Sequence, residues 1–210
     1  MASPIRLGFL THVEGQADLR TLYRRLIELF VAAEDLGYDT GWIAQHHFED
    51  GRSGAGAGAS PFTLLAAVAE NTSRIRLGTA VITVPMENPL RLAEDAATVD
   101  VLSGGRVEFG IGSGFDRRSF EAFGVPIEQR RELTTSGFEL IHRALGGQPL
   151  TADPRSIMQP QSPGLRERIW HGVFSEHGAR YVASAGSYLS IMTTVPPFWR
   201  IVEQKLSGAA

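Results

Sequence analysis

The sequence predicts an α/β fold, a parallel sheet with helices outside it. Two observations carry this. Strand-length apolar runs and helical-period segments alternate at least five times along the chain. Residues 74–114 also spell out one complete strand–helix–strand unit, whose second strand opens into Gly112-Ser113-Gly114. Glycines at the carboxyl end of a parallel strand let backbone come close to a ligand, where such folds place their sites.

Taken in order, Ile5–Leu10 reads as a short strand. Leu22, Leu26, Leu29, Phe30, Ala33 and Leu36 keep helical spacing over Thr21–Leu36, and Gly37 ends that helix. Thr40–Ala44 is a second strand, followed at once by Gln45-His46-His47-Phe48. Gly51–Ser60 is a glycine-rich loop, and Ser60-Pro61 reads as N-cap and first-turn proline of a helix to about Asn71. Ile75–Val84 is a β-branched run closed by Pro85. Asn88 and Pro89 then start a helix to Leu102, and Gly104-Gly105 stop it. Val107–Ile111 is the next buried strand. Phe115–Pro126 reads as a loop or broken helix, and Glu128–Leu145 as a helix. Residues 148–165 are proline-bearing and irregular. Arg168–Val173 is a fifth strand, Glu176–Ala185 a fifth helix and Tyr188–Thr193 a sixth strand. Pro196-Pro197 breaks the pattern before an amphipathic Phe198–Leu206.

Composition sets bounds. With 210 residues, 43% hydrophobic and 20% charged, the chain suits one soluble domain with a sizeable core. A net charge of −3 argues against a nucleic-acid partner. The absence of cysteine excludes disulfides, thiolate nucleophiles and thiolate-bound metals. No apolar run is long enough to span a membrane, and a strand begins within a few residues of the N-terminus without a signal-peptide core, so a cytoplasmic location is the expectation. The first strand meets its helix without a Gly-x-Gly-x-x-Gly turn, and no phosphate loop of the Gly-Lys-Ser/Thr type is present. His46 and His47 lack the further ligands that a zinc site needs, so no metal is expected. Glu94, Asp95 and Arg106 lie on or beside one helix and read as ion-pairing groups that position it.

Several motifs fall in one order: Gly-Phe-Leu at 8–10, Ala-Glu-Asp-Leu-Gly-Tyr-Asp at 33–39, Trp42, Gln-His-His-Phe at 45–48 and Arg-Leu-Gly-Thr-Ala-Val at 76–81. Asn-Pro-Leu-Arg-Leu-Ala-Glu-Asp at 88–95, Asp-Val-Leu-Ser-Gly-Gly-Arg at 100–106 and Phe-Gly-Ile-Gly-Ser-Gly at 109–114 continue it. Over about residues 5–193 the chain closely resembles the bacterial luciferase-like, flavin-dependent monooxygenases. The resemblance implies a TIM-type barrel that binds reduced FMN and adds O2 at flavin C4a to oxidise a small organic substrate. A separate flavin reductase would supply the reduced FMN, since no nicotinamide site is visible. Related barrels use deazaflavin F420, and the His-His pair favours the FMN branch. A non-catalytic flavin-binding or interaction protein of the same descent is the other reading.

The resemblance also assigns residues. His46 matches the histidine that faces the flavin as acid–base group, a role suited to imidazole near neutral pH. His47 is expected to hold the loop or a neighbouring helix. A cis peptide at Ala80–Val81 is expected to bulge under the ring. Gly112 stands where bacterial luciferase carries a reactive cysteine, and Ser113 where it carries an arginine. Ser175-Glu176-His177-Gly178 matches the turn that holds the FMN phosphate, consistent with a helix N-terminus capped by Ser175. Arg131 matches a phosphate-contacting arginine, with Arg130 as its rival.

The family has eight βα units, whereas this chain is expected to form a single domain over 1–210 with about six, C-terminally shortened, and a divergent tail at 195–210. Open strand edges invite pairing. The helices over Ser60–Asn71 and Pro89–Leu102 carry more apolar and small residues than one wall needs, which predicts a homodimer built on them.

Overall fold

The computed structural model describes residues 6–14, 17–48, 58–173, 180, 182 and 188–191. Its elements are β1 (Gly8–Thr11), α1 (Leu19–Asp35), β2 (Thr40–Ile43), α2 (Pro61–Ala69), β3 (Arg76–Thr79), β4 (Ile82–Thr83), α3 (Pro89–Leu102), β5 (Val107–Gly112), α4 (Arg117–Ala122), α5 (Arg130–Leu145), β6 (Ile169–Val173) and β7 (Tyr188–Ile191). The strands run in the order β1-β2-β3-β5-β6-β7, with β4 beside β5, and every pairing is parallel. This is a TIM-type parallel sheet that does not close among the described residues, β1 and β7 being its two ends. The expected helices at 176–185 and 198–206 lie outside the described residues, apart from Arg180 and Val182, which are helical.

One strand differs from its sequence reading. The apolar run 75–84 is two strands, β3 and β4, separated at Ala80 and Val81, whose peptide bond is cis. The ladder to β5 stops at Gly78–Glu108 and resumes at Ile82–Ile111. Across the gap the Thr79 hydroxyl donates to the Gly110 carbonyl at 2.8 Å, and the Gly110 N–H donates back to it at 2.8 Å. A side chain thus replaces the missing backbone pairing, which a hydrophobicity profile does not register. Smaller differences lie at the caps. α1 begins earlier than read because Asp18 accepts from the Thr21 N–H at 3.1 Å. Ser60 precedes α2 but bonds the Thr63 hydroxyl rather than a backbone N–H. The span 115–126 holds a short helix, α4, capped by Asp116.

Alternation sorts each strand into two faces. The outer face supplies Ile43, Leu77, Val107, Phe109, Ile111 and Ile169, which pack with Phe30, Leu65, Val68, Ala93, Ala96 and Ile141 from the helices. Each large side chain buried there contributes roughly 1.5–3 kcal/mol. The inner face carries Trp42, Gly78, Glu108, Gly110, Gly112, Trp170 and Gly172. Trp42 and Trp170 meet edge to face with centroids 5.5 Å apart, and Trp42 lies over Gly78, where a Cβ would sit 2.2 Å from its ring.

Polar clamps fix the amino ends of the strands. Asp100, wholly buried, accepts from Arg168 at 2.9 Å through both oxygens and from the Val107 N–H at 2.8 Å. Arg106 donates to the carbonyls of Ala69, Thr72, Ile75 and Ser103, so it ties loops through backbone oxygens rather than through the ion pair read from sequence. Glu94 and Asp95 do pair with Arg91 on their own helix.

Candidate active site

With the amino ends clamped, the carboxyl ends carry the varied chemistry. β1 and β2 run parallel with Thr11 beside Ile43, so the segments that follow them continue side by side. There the His12 Nδ1 and His46 Nε2 atoms stand 2.9 Å apart, with ring centroids at 5.0 Å and planes at 37°. Each segment then turns on a left-handed residue that is not glycine: Val13, with φ 55°, and Phe48, with φ 52°. Such backbone is uncommon for bulky residues and clusters at functional sites.

Gln45 fixes the His46 segment. Its side-chain oxygen accepts from the Thr83 N–H at 2.7 Å, and its amide donates to Glu87 at 2.9 Å. Burial pushes the Glu87 carboxyl up, against the pull of that Gln45 bond. His47 packs edge-on against Phe123 at 4.9 Å. Burial, then the neighbouring His46, push the His47 imidazole down, and Asp116 opposes them. Asp116 itself is held low by the Ser119 hydroxyl, which outweighs its partial burial. Gln45, His46, His47, Asp116 and Ser119 line a cleft of about 180 Å³ with Thr83, Met86, Phe115 and Arg118.

Beside the cleft, the bulge after β3 lies on glycines. A Cβ on Gly112 would stand 2.6 Å from Val81 Cγ2, one on Gly172 would stand 3.1 Å from Val81 Cγ1, and one on Gly110 would stand 1.8 Å from the Thr79 carbonyl oxygen. The upper inner face is therefore a shallow platform of backbone and one valine. That platform fits a flat ring, and no side chain larger than Val81 projects from those glycine positions to block one.

The structure brings together only some of the residues read from sequence. His46 lines the cleft, Val81 and Gly112 belong to the platform, and Ala80, at the cis bond before Val81, is buried. Ser113 is half-buried beyond β5 and does not line the cleft. Arg131 is exposed in the first turn of α5, and Arg130 donates to the Ile127 carbonyl at 3.1 Å. Ser175, Glu176, His177 and Gly178 lie outside the described residues. His12, Gln45, Gly110 and Gly172 were not singled out from sequence. The parallel register of β1 with β2 is the signal that would have found His12.

The profile of the luciferase-like monooxygenases matches residues 5–198. The chain belongs to that family. Among curated relatives of this luciferase-like chain, 4-hydroxyprotoasukamycin monooxygenase of Streptomyces nodosus subsp. asukaensis is 35% identical over 191 residues, 89% of this chain and 46% of that protein. The alkanal monooxygenase alpha chain of the Kryptophanaron alfredi symbiont is 30% identical over 152 residues, 72% of this chain and 42% of that protein. The chain thus spans under half the length of these relatives. Of solved structures, monooxygenase RslO1 from Streptomyces bottropensis superposes with a TM-score of 0.83 at 24% identity, over 91% of this chain and 61% of its own. The oxygenating constituent of 3,6-diketocamphane monooxygenase from Pseudomonas putida, solved with FMN, gives 0.72 at 16%, over 89% and 57%. The F420-dependent tetrahydromethanopterin reductase of Methanopyrus kandleri gives 0.65 at 19%, over 90% and 56%. FMN and F420 thus both occur among its structural neighbours. Among the described residues no helix is long and apolar enough to cross a membrane, and no group of three or more acidic or histidine side chains could hold a metal.

Proposed function

We propose that this chain binds reduced FMN and uses O2 to oxidise a small organic substrate, as a luciferase-like monooxygenase supplied by a separate flavin reductase. The observation that carries the reading is the Val81 platform on Gly110, Gly112 and Gly172, joined to the His46 segment through Gln45 and Thr83. Bound reduced flavin would supply the two electrons that activate O2. The chain's own residues do the rest. The platform orients the ring, and Met86 and Phe115 add apolar wall against water. His46 accepts or returns a proton at the cleft, as imidazole does near neutral pH. Ser175, Gly178 and Arg131 are the proposed phosphate anchors, and Ser113, Glu176 and His177 are further candidates for contact with the cofactor. F420 is the second reading, favoured by the reductase neighbour in that cofactor class.

Titration with FMN, reduced FMN, F420 and riboflavin tests the reading. FMN is expected to bind more tightly than riboflavin, and equal affinities would remove the phosphate anchor. His46→Ala is expected to slow O2-dependent oxidation while the fold survives. Unchanged oxidation with a large fall in melting temperature would return His46 to a packing role.

A further inference from the structure

We propose that His12 and His46 form a one-proton dyad, in which His12 sets the tautomer and charge that His46 presents to the cleft. The contact itself requires this coupling. Nδ1 of one ring and Nε2 of the other stand 2.9 Å apart, a hydrogen-bond distance. A neutral imidazole has one N–H donor and one bare acceptor nitrogen, so this contact holds one proton. If His12 donates, His46 is the Nδ1–H tautomer and offers a donor from its other nitrogen. If His46 donates, that nitrogen becomes an acceptor. Passing the shared proton to His46 Nε2 while His46 gives up its Nδ1 proton to the cleft and His12 takes one at its own Nε2 converts His46 from acid to base with both rings neutral again. One added proton makes an imidazolium that still donates across the contact. A second would set two N–H groups against each other.

The backbone is built to hold this geometry. β1 and β2 are locked in register up to Thr11 and Ile43, and the Ala44 N–H donates to the Thr11 carbonyl at 3.0 Å. Val13, directly after His12, takes left-handed backbone yet is 4% exposed, so burial of its side chain offsets the conformational cost and fixes where His12 points. Gly58 passes close enough that a Cβ there would meet the Ala44 carbonyl at 2.6 Å, which holds the two segments from the side. Gln45 fixes the other partner's segment through Thr83 and Glu87. Among the described residues, His47, Asp116 and Arg118 line the cleft with His46, Glu87 accepts from Gln45, and exposed Glu14 follows Val13 in the chain.

The proposal concerns this chain's own protons, and only its functional arm rests on His46 serving bound flavin. The decisive measurement is nitrogen-15 NMR of histidine-labelled protein without cofactor, from about pH 8 to about pH 5, a range that brackets ordinary imidazole titration. The rings of His12 and His46 are expected to move together and to take up one proton between them. In His12→Asn, His46 is expected to titrate alone and to change its tautomer. His12→Gln serves as a second variant should the first fail to fold. Two rings that each reach the full imidazolium shift, unaffected by loss of the other, would overturn the dyad. In the functional arm, with reduced FMN and O2, His12→Asn is expected to displace the pH profile of oxidation while leaving FMN affinity unchanged. NMR coupling together with a silent His46→Ala would uphold the dyad and refute the flavin role, so the two failures are distinguishable.

Discussion

At the scale of single residues, the site is defined by what glycine leaves out and by what bulky residues tolerate. Gly112→Ala is expected to weaken FMN binding about tenfold, since its Cβ displaces Val81 rather than rigid backbone. Isothermal titration checks this, with melting temperature as the folding control. Gly110→Ala is expected to fail more broadly, because its Cβ would meet a backbone oxygen at 1.8 Å. Phe48 combines φ 52° with 59% exposure. Phe48→Asn, a residue that accepts left-handed backbone, is expected to leave stability unchanged or raised by up to about 1 kcal/mol while lowering substrate-dependent turnover. Thermal denaturation beside turnover decides that. A fall in melting temperature with intact turnover would show that the ring serves packing.

At the scale of elements, helices and most strands were legible because apolar periodicity, Asn88, Pro89 and the closing glycines are local signals. The break between β3 and β4 was not legible from the apolar run, since Ile82 and Val84 read as continuous strand while the Thr79 hydroxyl takes over a pairing that no pattern encodes. His12 was missed for a related reason. A lone histidine after a short strand has no spacing relation to His46, and only strand register makes them neighbours. Thr79→Val leaves both Gly110 backbone groups without their hydroxyl partner and is expected to cost about 2 kcal/mol, measurable by urea denaturation. Glu34 clamps α1 to the start of β3. Burial works to raise its carboxyl, but the N–H groups of Ile75, Arg74 and Ser73 outweigh that and hold it at about 2. A folded value depressed below the unfolded one gives stability that is present above about pH 4.5 and lost as pH falls toward 2. Glu34→Gln is expected to flatten that acid limb of the stability curve. His171, facing Phe138 at 4.7 Å, is pushed by burial down to about 4. The unfolded chain then takes up a proton first, so this histidine lowers stability as pH falls from about 6.5 to about 4, and His171→Phe is expected to remove that part.

At the scale of the whole molecule, the proposed homodimer through α2 and α3 needs probes chosen from the structure. Leu65 and Val68 on α2 are 0% exposed and belong to the core. A charge at either is expected to unfold the chain rather than split a dimer. Ala67, exposed on α2, and Val101 near the end of α3, 53% exposed, are the informative sites. Sedimentation at micromolar concentration is expected to show a dimer that Ala67→Glu weakens. A monomer would exclude the assembly, and a dimer blind to that substitution would place the contact elsewhere, at the sheet ends for instance.

The tryptophan pair on the inner face has an optical consequence. Trp42 and Trp170 meet edge to face at 5.5 Å, close enough for their indole transitions to couple, and Trp170 is held by the bond from its Nε1 to Glu108 at 2.6 Å. The chain has three tryptophans, so Trp199→Phe leaves this pair as the sole indole emitters. An isoalloxazine absorbs where indole emits, and one seated on the Val81 platform, on the same face of the sheet, would drain that emission by energy transfer. Intrinsic fluorescence thus becomes a label-free gauge of occupancy, while the exciton couplet in circular dichroism reports whether the inner face keeps its shape as it fills.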